Sequence, residues 1–395
     1  MLRWARLPLL LLPLAVLLTV LVDTPFHKLG RSALSGVLEA KPRPPFTWTE
    51  FWRGTFQTKF EAWLEQELAL KPAMVRTDNT LNLLAFWDIS AHTQIPVVLG
   101  RRGTLFEMNY IDNQNGVSEF KSYPPPKSPD SVAASVRKVG RAARAFRRLG
   151  IDFMVVFYPS KGWIWRDRVP TRYKLAGGRT KAATGYTALL GGLRAEGVSV
   201  IDGVAAFEEL AQKEPELPLF ATGGTHWTLP AACTVAQLVV GELSFARGRH
   251  LKCQVGSPRP PNSIDTDIAD LINVWDNSRF VQPIPWVRAS LSRPLPAPPP
   301  NALVIGTSFS DHLRKLLIQG HVFRDVKTFR YYRHKDVDST NWARQVAVRQ
   351  AVIIEQWQWS YLTINATEFL DDLEARAPVF AEALHEVDAA AASAP

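Results

Sequence analysis

The stretch from Asn301 to Gln319, NALVIGTSFSDHLRKLLIQ, constrains this chain most. Ala302 to Ile305 is a short apolar run broken by Gly306 and Thr307, the pattern of a buried strand. Asp311 then opens a segment in which Leu313, Leu316, Leu317 and Ile318 recur at helical spacing. A fully apolar strand followed at once by a helix belongs to an α/β sheet covered on both faces. Ser308 falls at the break. A serine on a sharp strand-to-helix turn is lifted clear of the sheet, and its N–H lies near a helix N-terminus, where oxyanion charge is stabilised. The same residues also fit a buried strand whose turn merely contains a serine.

The rest of the chain repeats this alternation. Val132, Val136, Val139, Ala143 and Phe146 mark one face of a helix, with Asp130 or Ser131 as its cap and Gly150 as its end. Phe153 to Phe157 is a continuous apolar strand. Tyr158, Pro159, Ser160 and Lys161 lie at its carboxyl end, where open α/β sheets place their sites. Lys161 is therefore a candidate to face substrate, against the plainer reading of a surface lysine. Helix is predicted over 184–195, 203–212 and 230–245, and strand over 198–201, 322–332 and 351–355. Between Ala246 and Pro300 the pattern weakens to an irregular insertion ending in LSRPLPAPPP. Tyr331, Tyr332, Arg333 and His334 close one strand with polar tips on aromatic bodies, a candidate sugar contact. Trp357 and Trp359 fit a stacking platform or plain packing.

A nucleophilic serine needs a base, usually histidine near neutral pH. His226, in LFATGGTHWTLP at Leu219 to Pro230, is one of only eight histidines and stands before a predicted helix start at Pro230. His334 is a rival. Spacing alone does not bring His226 and Ser308 together.

GTSFS after a buried strand, THWT about 80 residues earlier, and VVLGRRGTLFEMNYID at Val97 to Asp112 together resemble the AlgX/AlgJ family of SGNH-hydrolase-like polysaccharide O-acetyltransferases. FEAWLEQELALKPAMVRTDNTLN at Phe60 to Asn82 is similar to the family's helical lead-in, and YPSKGWIW at Tyr158 to Trp165 to its proline-lysine segment. The resemblance spans roughly residues 50 to 365. It implies a three-layer α/β/α, SGNH-hydrolase-like (flavodoxin-like) domain over 51–365, with the histidine block before the serine block. It implies Ser308 as nucleophile and His226 as base; Lys161, Tyr332, Arg333 and Trp227 are candidate substrate contacts on their own positions in the sequence. The implied function is O-acetylation of an exported, alginate-like polysaccharide. The implied partners are a multi-spanning membrane O-acyltransferase (MBOAT type) as acetyl donor and the polymer as acceptor, with no metal and no organic cofactor. An acetylesterase with the same site, or a polysaccharide-binding scaffold, are the rival readings. The lack of room for a C-terminal carbohydrate-binding domain makes the chain more like the AlgJ type.

One residue departs from the pattern. The family usually reads Asp-Thr-His-Trp, its aspartate orienting the histidine, whereas this chain has Gly224 there. Loss of an orienting carboxylate in a Ser-His-Asp triad costs about 10⁴ in turnover. Three outcomes stay open: another carboxylate serves (Asp202, Asp270 or Asp311), a Ser-His dyad suffices, or the chain is weak or inactive.

Composition bears on compartment. Arg3 and Arg6 precede an uncharged run from Leu7 to Val22, which fits a signal peptide or a short uncleaved anchor over 1–23. We read it as an anchor, with a proline-bearing tether over 24–50. That puts the chain in the inner membrane by a single pass, its catalytic body in the periplasm. A helix and an alanine-rich tail are predicted over 366–395. The net charge of +9 suits an anionic polymer or membrane surface, and no zinc-finger or RRM signature points to nucleic acid. Cys233 and Cys253, the only cysteines, fit either a disulfide or buried thiols. No Cys/His set has structural-zinc spacing.

Overall fold

The apolar runs at 153–157, 302–305 and 351–354 lie side by side in the computed structural model, as the three inner strands of one parallel sheet. The structure describes residues 15, 18, 34–36, 41–68, 71–89, 97–115, 129–174, 178–330, 349–357 and 364–392. Two units are distinguished, one comprising 1–99 and 268–279, the other 100–267 and 280–395.

In the first unit, α1 (Trp48–Trp52), α2 (Thr55–Glu67) and α3 (Lys71–Phe86) follow one another, and β1 (Val97–Leu99) ends it. Pro72 opens α3, where its missing N–H costs nothing. Buried Asn79 on α3 donates to the carbonyl oxygens of Ile272 (2.8 Å) and Asn273 (3.3 Å).

The second unit holds β2 (Leu105–Glu107), α4 (Met108–Asn115), α5 (Pro129–Arg148), β3 (Asp152–Tyr158), α6 (Lys161–Ile164), α7 (Gly178–Ala195), β4 (Ser199–Asp202), α8 (Gly203–Lys213) and α9 (Leu229–Glu242). Then come β5 (Leu251–Arg259), a short helix α10 (Asp267–Leu271) reaching into the first unit's residues, β6 (Ile284–Leu291), β7 (Asn301–Gly306), α11 (Ser310–Gln319), β8 (Asp325–Arg330), β9 (Ala351–Trp357), α12 (Ile364–Arg376) and α13 (Pro378–Ala392). The sheet order is β4-β3-β9-β7-β8, all parallel. A flavodoxin-like order would set β7 beside β3; here the last strand, β9, takes that place. Its AVII run suits burial on both faces, whereas β8, with exposed Lys327, suits an edge.

Alternation along β3 sorts the two layers. Phe153 stacks on Phe146 of α5 at 4.9 Å between ring centroids, and Phe157 meets Tyr186 of α7. Tyr158, of opposite parity, meets Trp227 and Phe309 instead. Helices α5, α7, α12 and α13 thus cover one face and α8, α9 and α11 the other. Phe380 of α13 also lies on Phe146 at 4.8 Å. Each such aromatic pair contributes about 0.5–1.5 kcal/mol beyond its buried area.

The weak pattern between 246 and 300 conceals an antiparallel ribbon, β5 with β6, and α10. Pro258, Pro285 and the register shift between Val255 and Pro258 break the alternation that would have marked it. The anchor expected over Leu7–Val22 lies outside the described residues apart from positions 15 and 18. No helix among the described residues is long and apolar enough to cross a membrane.

Cys233 on α9 and Cys253 on β5 form a disulfide, which settles the choice left open between bridge and thiols. The cysteines are 20 residues apart, and closing a loop of that size restricts the unfolded chain by about 3 kcal/mol. Cys233→Ser should therefore lower the stability measured by denaturant unfolding by about 2–4 kcal/mol. A reductant should do the same to the wild type and nothing further to the variant.

Candidate active site

Two loops meet above the carboxyl ends of the central strands. The turn Thr307–Ser308–Phe309 joins β7 to α11, and the loop Leu219–Thr228 leads into α9, where Thr228 accepts from Ala231 N–H as the cap. His226 Nε2 lies 2.7 Å from Ser308 Oγ. The imidazole is buried and rests on the Phe309 ring at 4.7 Å, while Ser308 is half-buried and can be reached. The Ser308 N–H has no partner among the described residues and sits just before α11, where it can donate to an oxyanion.

Asp267 stands on the far side of the imidazole. Its Oδ2 is 3.0 Å from His226 Nδ1, and its Oδ1 accepts from Thr225 N–H at 2.8 Å. The Nδ1 contact has ion-pair distance without hydrogen-bond alignment. At this distance the pair needs only a small rotation to bond, and catalytic hydrogen bonds commonly align only once substrate is bound. The loop that carries Asp267 is tied by its own polar groups. Asn262 Oδ1 accepts from Ile264 N–H at 2.9 Å, and Asp265 Oδ2 accepts from Asn262 N–H at 2.9 Å.

These three side chains form a serine–histidine–aspartate line assembled from three separate segments. The profile of the SGNH hydrolase-like domain of the acetyltransferase AlgX matches residues 97–320, more than half of the chain, and takes in all three. The chain belongs to the AlgX family of SGNH hydrolase-like acetyltransferases.

Among solved structures, the O-acetyltransferase domain of Pseudomonas putida AlgJ is 19% identical, with a TM-score of 0.48, over 74% of this chain and 100% of that one. Pseudomonas aeruginosa AlgX is 15% identical, with a TM-score of 0.47, over 78% of this chain and 70% of its own. Bacillus cereus PatB1 is 11% identical, with a TM-score of 0.44, over 68% and 97%. No curated protein gives a significant match.

Within this AlgX-type site Gly224 has no room for a side chain. A Cβ there would lie 2.6 Å from the Asp265 carbonyl oxygen, 2.8 Å from its carbon and 2.9 Å from the Ile264 oxygen. The loop bearing Asp267 fills the space a side chain at 224 would need.

The other carboxylates proposed for this role are engaged elsewhere. Asp202 caps α8, accepting from Ala205 N–H (3.0 Å) and Tyr186 O–H (2.8 Å). Asp311 is ion-paired with Arg330. Asp270 accepts from Asn277 Nδ2 at 3.1 Å. Asp267 was missed because nothing in NSIDTDIADL distinguishes it from its neighbouring aspartates.

Lys161 does not face substrate. It is buried and donates to the carbonyl oxygens of Leu105 (2.7 Å), Thr222 (2.8 Å) and Gly224 (2.8 Å). Ser160 caps the short α6 that presents it. Burial draws the Lys161 pKa well below its ordinary value, with the Asp267 charge opposing. We hold it to be an ammonium, because three acceptors require three N–H donors, which a neutral amine lacks. Trp227 is fully buried too. Its Nε1–H donates to Phe309 O at 3.1 Å, tying the histidine loop to the serine turn. Tyr332, Arg333, His334 and Trp359 lie outside the described residues.

Two further groups support the turn. Glu355 of β9 is fully buried and accepts from Thr307 N–H at 2.6 Å and Thr307 Oγ1–H at 3.1 Å. Tyr158 Oη lies 3.0 Å from Thr307 Oγ1. Burial pushes the Glu355 pKa up to about 7, against the pull of its hydrogen bonds. Glu107 is likewise raised to about 7, first by desolvation of its carboxyl and then by the Asp267 charge. Buried His312 donates Nδ1–H to Trp227 O at 2.9 Å, and burial holds it neutral with a pKa of about 4.

Two outcomes follow from this packing. Gly224→Asp should destabilise the fold by about 1–3 kcal/mol in denaturant unfolding, because backbone rather than a flexible side chain blocks it. Between pH 4.5 and 7 the native state should hold protons on Glu355 and Glu107 that the unfolded chain has released, so their contribution to stability falls as pH rises. Glu355→Gln should flatten that decline in the thermal midpoint. An unchanged slope would mean that Glu355 is already ionised across this range.

Proposed function

We propose that the chain acetylates hydroxyl groups of an exported, alginate-like polysaccharide through an acetyl-serine intermediate. The observation that carries this reading is the Ser308–His226–Asp267 arrangement within an acetyltransferase family. His226 Nε2 takes the proton of Ser308 Oγ as that oxygen attacks the acetyl carbonyl carbon. The Ser308 N–H donates to the oxyanion, and Asp267 stabilises the imidazolium. The imidazolium gives its proton to the departing group as its bond to the acetyl carbon breaks, leaving acetyl-Ser308. A sugar hydroxyl then attacks that carbonyl, His226 takes its proton, and Ser308 is released with the proton returned.

The donor on this reading is a membrane O-acyltransferase of the MBOAT type. The chain is held to the inner membrane by the apolar run Leu7–Val22, with its body in the periplasm. The Cys233–Cys253 disulfide supports an oxidising compartment. The scaffold alternative drew its strength from Gly224, and a carboxylate beside His226 weakens it.

Acetyl release from p-nitrophenyl acetate tests the chemistry. Ser308→Ala and His226→Ala should abolish it, and Asp267→Asn should lower turnover by up to about 10⁴. Ser308→Ala matching the wild type would overturn the acyl-enzyme. Product analysis with and without a polysaccharide acceptor separates transfer from hydrolysis. Acetate as the sole product, with acceptor present, would make the chain an esterase.

A further inference from the structure

The ribbon β5–β6 is fastened to the helices that follow both catalytic residues. Its inner face buries Leu251, Val287 and Ala289. Gln237 Nε2 on α9 donates to Leu251 O at 3.0 Å, and Ala289 N–H donates to Gln319 Oε1 on α11 at 2.9 Å. The disulfide adds a covalent tie to α9. At its far end β5 leads through Arg259, 3.6 Å from Asp265, into the loop that presents Asp267. A face carried on this ribbon is therefore held in fixed relation to Ser308 and His226.

The outer face carries Lys252, Gln254, Trp286, Arg288 and Ser290, all exposed. Lys252 pairs with Ser290 and Gln254 with Arg288 across the ribbon, so successive rungs on this face are about 6.8 Å apart. Neither strand contains an acidic residue, while together they carry Lys252, Arg259 and Arg288. Trp286 remains 36% exposed. Its ring lies against Gly256, where a Cβ would come within 2.1 Å of Cε2 and 2.2 Å of Nε1. Glycine leaves the room that the indole takes up beside the ribbon. The Arg288 guanidinium stands 5.8 Å from the ring centroid.

A partly exposed indole, with an amide and two cations at regular steps beside it, suits a polymer of ring-shaped, negatively charged units. We infer that the outer face of β5–β6 is a binding track for an acidic, uronate-type polysaccharide. Trp286 stacks on a sugar ring, Arg288 and Lys252 pair with carboxylates, and Gln254 hydrogen-bonds hydroxyls. This rests on the reading that the acceptor is an alginate-like polysaccharide and assigns the surface that holds it. Single-stranded nucleic acid offers the same combination of stacking and anionic charge. The glycan is favoured because the track is bolted to an acyl-transfer site whose acceptor is a sugar hydroxyl.

Isothermal titration of the full chain in detergent, in a Ser308→Ala background, tests the track without dependence on acyl chemistry. The probes are oligomannuronate, a neutral cello-oligosaccharide of equal length, and oligothymidylate. Oligomannuronate should bind, more weakly as salt rises. Trp286→Ala and Arg288→Glu should each weaken it by about tenfold or more, equivalent to about 1.4 kcal/mol. Trp286→Phe, which keeps a ring, should retain most of the affinity. Unfolding midpoints matching the parent show that the loss is not a folding defect. Equal binding by parent and both variants, equal binding of the neutral glucan, or tighter binding of oligothymidylate would each overturn the track. If oligomannuronate binding depends on Trp286 but the wild type transfers no acetyl group, the track stands and the transferase reading falls.

Discussion

The ammonium of Lys161 holds together the loop that carries His226. It reaches the carbonyl oxygens of Leu105, Thr222 and Gly224, and so joins β2 to both sides of the turn before His226. A buried cation is costly unless its donors are satisfied and its charge is balanced. Here three carbonyls take the donors, and the Asp267 charge favours the protonated form. The histidine loop is thereby fixed by backbone contacts that do not involve the histidine itself, leaving His226 Nε2 for Ser308.

The same economy governs the serine turn. Glu355 reaches up from the central strand β9 to Thr307, and Tyr158 reaches the same threonine from β3. Trp227 and His312 then cross-link the two loops, each through a hydrogen bond to backbone. Ser308 and His226 thus rest on neighbours that are themselves held, which keeps Oγ and Nε2 at 2.7 Å.

A carboxylate stands beside His226 although position 224 carries no side chain. Backbone at Ile264 and Asp265 occupies the space that a side chain at Gly224 would need. The same loop carries Asp267 to the Nδ1 side of the imidazole. In this structure a side chain at 224 and the present path of that loop therefore exclude one another.

Much of the frame was legible in the chain order of residue types. The runs FMVVF, ALVI and AVII read as buried strands because nothing polar interrupts them, and the serine turn and its helix followed from the same stretch. The family resemblance carried on GTSFS and THWT pointed to Ser308 and His226, and the structure sets those two side chains 2.7 Å apart. What local pattern lacks is any record of which distant groups share a space. Asp267 looks like its neighbours Asp265 and Asp270, and only the path of its loop around Gly224 distinguishes it. Lys161 reads as a surface lysine beside a strand end until three carbonyls from two distant segments enclose it. The β5–β6 ribbon hides behind prolines that break its period. Periodicity and composition set which segments seek burial; tertiary packing alone decided which side chains meet, because a hydrogen bond between residues 82 positions apart leaves no trace in the sequence between them.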